Sequence, residues 1–262
     1  MKKRAPLRDA KPQSKPSASE IVYGFRAAMA VFAVRPNDIA RIGYAYERSR
    51  EVAELVAWAT EHGVACEVMA EEDLTRVSSS THHEGLVVRA AARKWSALSD
   101  LAEALIRSRG FAIALDRVRN PYNVGAILRS AAFFGMDGVI LGALAPHPAL
   151  APDAIRVAEG GAEYLRLART TDLADTLVRL QGRGLRVVGA ESDAGASLFG
   201  HTLRPPTVMV LGHERDGLSP AVRAACDEVV GIPGAGGVES LNVGVAASLC
   251  IAELARSRPP KS

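Results

Sequence analysis

Cysteine is scarce in this chain of 262 residues, and its three cysteines lie far apart. Cys66, Cys226 and Cys250 show no paired spacing, so the sequence indicates no disulfide framework. His82 and His83 have no cysteine at the distance typical of a zinc site, and we predict no metal. The three thiols therefore predict a reducing, cytoplasmic location.

Long apolar runs are missing as well. Even residues 243–254 fall short of the roughly 18 residues that a membrane helix requires, and Glu253 interrupts them. The first residues also lack the apolar segment of a secretory signal. The sequence therefore predicts neither a membrane protein nor a secreted one.

The net charge of +3 is unevenly distributed. Residues 1–19 contain six basic residues against one acidic residue, Asp9, and so carry +5, which leaves −2 for residues 20–262. Because the segment is rich in proline and serine, we predict a disordered basic tail. Such a tail either solubilises the chain or holds a polyanion electrostatically. Bulk charge alone neither indicates nor excludes RNA as a partner.

Helical and strand patterns alternate in residues 20–91, which is typical of a small α/β domain. The patterns predict helices over residues 23–34 and 49–61, strands over 39–46, 64–69 and 85–89, and a short helix before the last strand. Residues 92–109 are predicted to connect this domain to the next and to end in an amphipathic helix. Its apolar stripe consists of Leu98, Leu101, Leu105 and Ile106.

Residues 110–262 contain short apolar runs separated by helical stretches. The runs cover residues 111–115, 139–141, 185–189, 208–211 and 229–232. This pattern predicts a parallel sheet covered by helices on both faces. Ligands of such sheets bind at the carboxyl ends of the strands. Asn120, Gly212 and Gly234 fall there, so we predict the site at this edge.

Glycine clusters also occur in dinucleotide-binding enzymes, but the clusters of this chain differ from theirs. Residues 234–239 lack the third glycine of Gly-x-Gly-x-x-Gly, and residues 182–187 lead into a strand instead of opening a helix. No Walker lysine follows either cluster. The sequence thus disfavours a nucleotide-dependent oxidoreductase or kinase.

Three motifs follow one another in the second predicted domain. Residues 120–130 are Asn-Pro-Tyr-Asn-Val-Gly-Ala-Ile-Leu-Arg-Ser, residues 211–217 are Leu-Gly-His-Glu-Arg-Asp-Gly, and residues 232–243 are Ile-Pro-Gly-Ala-Gly-Gly-Val-Glu-Ser-Leu-Asn-Val. In this order and spacing they resemble the SpoU (TrmH-like) family of RNA ribose 2'-O-methyltransferases, of the SPOUT superfamily. Residues 110–256 resemble the catalytic domain of that family, and residues 20–91 resemble its small substrate-binding domain.

The resemblance implies a fold, a cofactor and an assembly. It implies S-adenosylmethionine as the cofactor, a homodimer, and a deep trefoil knot in the α/β domain, although chain paths that thread loops are ordinarily excluded. It also implies that the cofactor is held mainly by main-chain groups. The residues concerned are Gly212, Ile232 and Leu241, helped by Leu211, Ala190 and Asn242.

The catalytic residues implied by the resemblance are Arg129, Asn123, Glu214, Ser240 and Asn242. Arg129 is the family's central residue. Because guanidinium groups stay protonated in proteins, we favour phosphate binding and stabilisation of alkoxide charge over a general-base role. Asn123 is expected to orient Arg129 or the ribose, with a helix cap as the alternative. Glu214 is expected to orient Arg129 or the substrate, with a surface turn as the alternative.

The expected partner is RNA. Candidate phosphate contacts in the first domain are Arg35, Arg41, Arg48 and Arg50, with a solvated charged face as the alternative. Residues 81–85, Thr-His-His-Glu-Gly, either contact RNA or form a turn before a strand. We expect 23S ribosomal RNA as the substrate. The alternatives are transfer RNA, or a weakly active RNA-binding assembly factor on the same fold.

Overall fold

A computed structural model describes residues 19–142 and 150–258 of the chain. The predicted basic tail lies outside these residues except for Ser19, which begins the first strand. None of the described helices is long and apolar enough to cross a bilayer.

The first domain is built on a four-stranded sheet, as the alternating pattern predicted. Its strands β1 (Ser19–Tyr23), β2 (Ile39–Tyr44), β3 (Ala65–Val68) and β4 (Leu86–Ala91) lie in the order β1-β4-β2-β3. Its helices are α1 (Phe25–Val34), α2 (Ala53–Glu61) and α3 (Glu71–Ser78). The sequence missed β1 and assigned Tyr23 to a helix, because only pairing with the distant β4 makes this segment a strand.

The second domain contains a parallel sheet of seven strands. They are β5 (Phe111–Asp116), β6 (Gly138–Gly142), β7 (Arg166–Thr170), β8 (Arg186–Ala190), β9 (Ala196–Ser197), β10 (Thr207–Leu211) and β11 (Glu228–Gly231), in the order β7-β6-β5-β10-β8-β11-β9. The five predicted strands are confirmed. The sequence missed β7 and β9, which form the two edges. Edge strands tolerate charge and can be very short, so they lack a continuous apolar run.

Helices cover both faces of this sheet. They are α4 (Leu98–Ser108), α5 (Pro121–Phe133), α6 (Pro152–Val157), α7 (Leu173–Gln181), α8 (Pro220–Ala224) and α9 (Val243–Arg256). Successive side chains of β5 alternate between the faces: Phe111 and Ile113 pack with α5 and α9, whereas Ala112 and Ala114 pack with α4 and α7. The predicted stripe of α4 is wrong at Ile106, which is 41% exposed because it points about 100° away from Leu105.

Buried ion pairs join the two domains, which also share one apolar core. Glu163, in the turn after α6, accepts from Arg35 Nε at 2.8 Å and from Arg93 Nη2 at 3.0 Å. Both arginines also pair with Glu20 of β1. Burial alone would lower the pKa of Arg35, but the hydrogen bonds and charges of Glu163 and Glu20 outweigh it and raise this pKa. Arg35, expected at an RNA-binding surface, therefore holds the domains together.

The interdomain ion cluster should contribute measurably to stability. Replacing Glu163 with glutamine leaves two largely buried guanidinium groups short of a charge partner, and we expect the free energy of unfolding to fall by about 3 kcal/mol. The control is Glu67→Gln, which removes an exposed ion pair with Arg41. We expect it to lower the free energy of unfolding by less than about 1 kcal/mol. Urea denaturation followed by circular dichroism measures both. Equal losses in the two variants would contradict this ranking.

Candidate active site

The first motif begins at Asn120, in the loop after β5, and continues through most of α5. Asn120 caps this helix, since its Oδ1 accepts from the amide of Tyr122 at 2.9 Å, and Pro121 follows at the first helical position. The cap role considered for Asn123 therefore belongs to Asn120. Asn123 lies within the first turn, half-buried, and its side chain reaches the other motifs.

A polar network of three side chains, Asn123, Glu214 and Asn242, connects the three motifs. Asn123 Nδ2 donates to Glu214 Oε1 at 2.8 Å, and Asn123 Oδ1 accepts from Asn242 Nδ2 at 3.1 Å. Asn242 is also the N-cap of α9, where its Oδ1 accepts from the amides of Gly244 at 2.8 Å and Val245 at 3.4 Å. The fold thus brings together residues that are 91 and 119 positions apart.

Arg129 lies on a different face of α5. It follows Asn123 by six residues, which rotates it by about 120° around the helix axis. Its side chain is 53% exposed, and its Nη1 lies 2.8 Å from Glu159 Oε1. Within the described residues, the ionic partner of Arg129 is thus Glu159 and not Glu214. Glu159 belongs to none of the three motifs, so the sequence did not indicate it.

The glycines of the site serve different purposes. Gly212 is buried directly after β10, and a Cβ there would lie 2.1 Å from the carbonyl carbon of Gly217. The folding of its own loop therefore requires this glycine, whereas the sequence suggested close approach to a ligand. Gly234 and Gly237, in the loop after β11, have no atom within 4 Å of the corresponding position. The backbone of that loop is open to a ligand.

The other expected cofactor residues lie at the same edge of the sheet. Leu211 ends β10 and Ala190 ends β8, and the two are opposite each other in the strand register. Ile232 follows β11 and is half-buried. Leu241 is 47% exposed, so an apolar side chain faces solvent beside the open loop. Ser240 is exposed, and its hydroxyl forms no hydrogen bond with the described residues.

The basic residues expected to contact RNA differ in their surroundings. Arg41 and Arg48 each pair with a carboxylate at 2.5 Å. Arg50 is exposed and has no ion pair in the described part of the chain. Arg119 and Arg215 are likewise exposed and form no ion pair there; Arg119 directly precedes the first motif, and Arg215 belongs to the second. These last two were not predicted to contact RNA from the sequence, although their place beside or within the motifs was a usable signal.

A cleft of about 410 Å³ separates parts of the two domains. Its lining includes Arg48, Thr81, His82, Glu84 and, from the second domain, Arg156. Of the two histidines in the Thr-His-His-Glu-Gly stretch, His82 faces this cleft, whereas His83 is buried and its Nδ1 accepts from the amide of Gly85 at 3.1 Å. His83 is thus a turn residue, and His82 remains a candidate for RNA contact.

Comparison with known families decides what kind of protein this is. Residues 110–252, more than half of the chain, match the SpoU rRNA methylase family. The chain belongs to this family. Residues 21–95 match the domain described as RNA 2'-O ribose methyltransferase substrate binding. The predicted family and the predicted enzyme class, an RNA ribose 2'-O-methyltransferase, are confirmed.

Individual relatives extend over nearly the whole chain. The 23S rRNA (guanosine-2'-O-)-methyltransferase RlmB of Shewanella oneidensis is 34% identical over 244 residues, 91% of this chain and 98% of that protein. An uncharacterised tRNA/rRNA methyltransferase of Mycobacterium tuberculosis is 34% identical over 258 residues, 98% of this chain and 80% of that protein. The structure of the SpoU methyltransferase AviRb from Streptomyces viridochromogenes, in complex with AdoMet, has a TM-score of 0.76 at 24% identity and covers 91% of this chain and 90% of that one. The predicted α/β fold class is confirmed.

Proposed function

We propose that this SpoU family member methylates the ribose 2'-hydroxyl of a nucleotide in 23S ribosomal RNA, with S-adenosylmethionine as the methyl donor. The RlmB relative, which is similar over both domains, supports this choice of substrate. The observation that carries the proposal is the polar network, because it joins one side chain from each motif at the carboxyl edge of the sheet.

The residues at this edge fit S-adenosylmethionine. Gly234 and Gly237 leave open space beside the backbone, and Leu241 exposes an apolar side chain next to them. An adenosyl group has an apolar ring face and hydrogen-bonding edges, which match such a surface. We assign main-chain groups of Gly212, Ile232 and Leu241 to holding it. When bound, the cofactor supplies an electrophilic methyl group.

The polar network positions the motif loops around the substrate. Asn123 uses both ends of its amide within the network, so it orients Glu214 and Asn242. Glu214 Oε2 makes only a long contact, 3.7 Å, with His213 Nε2. This oxygen is available to accept a hydrogen bond from the substrate. The free hydroxyl of Ser240 is a second group that can orient it.

Arg129 supplies positive charge to the reaction. Its guanidinium stays protonated and is half exposed, so it can meet a phosphate of the RNA backbone. The ribose 2'-oxygen gains negative charge as its proton passes to solvent water, and a nearby guanidinium stabilises that charge. We therefore assign Arg129 to binding the substrate and stabilising the alkoxide.

Methyl transfer into defined RNA tests the proposal. Purified protein and labelled S-adenosylmethionine are incubated with ribosomal and transfer RNA from a strain that lacks the protein. We expect label in one 2'-O-methyl nucleotide of 23S ribosomal RNA. Label in transfer RNA would favour the alternative substrate, and label on a base would contradict the mechanism. Cofactor binding without any label would favour an assembly factor.

We also infer a homodimer. Phe133 on α5 is 82% exposed and Val245 on α9 is 51% exposed, and the two helices pack against each other. Exposed apolar side chains on such a surface indicate an interface. We expect light scattering to give the mass of a dimer, and Phe133→Glu to shift it toward the monomer. An unchanged dimer in this variant would place the interface elsewhere.

We place the protein in the cytoplasm. The three cysteines, which are free in the structure, support a reducing compartment. The knotted chain path and the exact domain boundaries stay predictions.

A further inference from the structure

Glu159 connects Arg129 to the first domain. Its Oε1 lies 2.8 Å from Arg129 Nη1, and its Oε2 lies 2.5 Å from Arg26 Nη1 of α1. Each carboxylate oxygen thus holds one guanidinium. A single side chain links α5 of the catalytic domain to α1 of the substrate-binding domain.

The backbone of Glu159 has a conformation that glutamate rarely adopts. Its φ is +46°, and Gly160 follows with a φ of +90°. Glycine adopts positive φ freely and asparagine or aspartate tolerates it, whereas a long side chain is disfavoured there. Glycine would therefore be the less strained residue at position 159. Strain of this kind occurs at functional sites, which makes the side chain of Glu159 a candidate for a specific role.

The backbone around Glu159 packs closely against both domains. A Cβ on Gly160 would lie 2.6 Å from Ala30 Cβ of α1. A Cβ on Gly161 would lie 2.9 Å from the carbonyl oxygen of Leu128 and 3.2 Å from Arg129 Cα. Residues 159–161, which we call the elbow, thus contact α1 on one side and the turn that carries Arg129 on the other. A shift of α1 relative to α5 has to displace the elbow.

We propose that Glu159 is a positioning residue for methyl transfer. It holds the guanidinium of Arg129 in the orientation that contacts the ribose and its phosphate. Because Glu159 also pairs with Arg26, this orientation depends on the position of the substrate-binding domain relative to the catalytic domain. The proposal rests on the proposed function, since the part of Arg129 in catalysis is itself proposed.

A positioning role predicts a large effect on rate and a small one on stability. The Glu159 side chain is 32% exposed, and Arg26 and Arg129 are more exposed still. Ion pairs with this exposure contribute little to folding. The arginine side chain is long and flexible, however, so without its anchor it samples many orientations and rarely has the reactive one. Misplacement of a reacting group by about 1 Å can cost roughly 100-fold in rate.

Two substitutions separate the carboxylate from the backbone strain. Glu159→Gln keeps the shape and removes the charge, and Glu159→Gly removes the side chain and also the strain. We expect both to lower kcat by roughly 10- to 100-fold, while KM for RNA and Kd for S-adenosylmethionine stay within about threefold. We expect the glycine variant to melt at the same temperature as the wild type or higher. Arg26→Met, which leaves the contact with Arg129, should lower kcat less than either.

The background of Arg129→Lys shows whether Glu159 acts through the guanidinium. The guanidinium is absent in Arg129→Lys. Adding Glu159→Gln to this variant should therefore lower kcat by less than about a further twofold, because effects of residues that act as a unit do not add. Wild-type kcat in both Glu159 variants would overturn the proposal. A fall in kcat that is equally large in the lysine background would overturn it too.

A readout without turnover distinguishes failure of this proposal from failure of the proposed function. In protein labelled with nitrogen-15 arginine, the Nε–H signal of Arg129 is assigned by its loss in Arg129→Lys. We expect Glu159→Gln to shift this signal and to increase its exchange with water, and Glu67→Gln to leave it unchanged. An unshifted signal would overturn the positioning role. If the signal shifts and the wild type methylates no RNA, only the proposed function fails.

Discussion

Replacing Arg129 with alanine is expected to lower kcat for ribose methylation by roughly 100- to 1000-fold, the loss typical of removing one preorganised group that stabilises developing oxyanion charge. The half-exposed side chain belongs to no core cluster, so the fold should persist. The expected cofactor residues lie at the ends of other strands and in the loops that follow them, so Kd for S-adenosylmethionine should change by less than about threefold. Single-turnover methylation and calorimetric titration of the cofactor measure the two quantities.

A matched control for this variant is Arg179→Ala. Arg179 also pairs with a carboxylate at 2.8 Å, but it is 78% exposed on α7, on the opposite face of the sheet from α5. We expect wild-type rates from it. Arg129→Lys should recover only part of the rate, because an ammonium group keeps the charge without the planar set of donors. Equal rates in the two alanine variants would exclude the assigned role of Arg129.

Replacing Gly212 with alanine is expected to disrupt the second motif. The added Cβ would lie 2.1 Å from the carbonyl carbon of Gly217 and 2.4 Å from the amide nitrogen of Leu218. Both atoms belong to the backbone, so the loop has to open. We expect the free energy of unfolding to fall by about 3 kcal/mol. We also expect cofactor affinity to drop at least about tenfold, or ~1.4 kcal/mol, which thermal denaturation with and without S-adenosylmethionine would detect.

The control for Gly212 is another glycine at the same edge. At Gly234 an added Cβ meets nothing within 4 Å, so Gly234→Ala should leave the stability of the free protein unchanged. If the cofactor lies against this backbone, the same variant weakens its binding. A Gly212→Ala protein with wild-type stability and cofactor affinity would show that the loop closes in some other way.

The sequence predicted best what is encoded locally. The central strands are continuous apolar runs, and the three motifs follow the ends of β5, β10 and β11, so the pattern of residues was enough to infer their common edge. The cap of α5 is also local, but Asn120 and Asn123 are both plausible there. Only the long-range contact between Asn123 and Glu214 separates the two roles.

The features that the sequence did not reveal depend on contacts between distant segments. Arg35 looks like a surface cation until Glu20 and Glu163 are placed around it. Glu159 belongs to no motif, and only the structure shows that it pairs with both Arg26 and Arg129. Neither arrangement leaves a periodic signal, because each joins single residues that lie on different elements.

The interface between the two domains has a consequence for how the chain can be divided. One apolar core runs through both, and Tyr23 of β1 donates to Asp153 of α6 at 2.7 Å, in addition to the buried ion pairs. Cutting the chain between β4 and α4 would expose that core and would leave charged groups on each half without their ion-pair partners. We therefore expect the two sheets to unfold as one cooperative unit, with the substrate-binding domain as an integral part of the enzyme's framework.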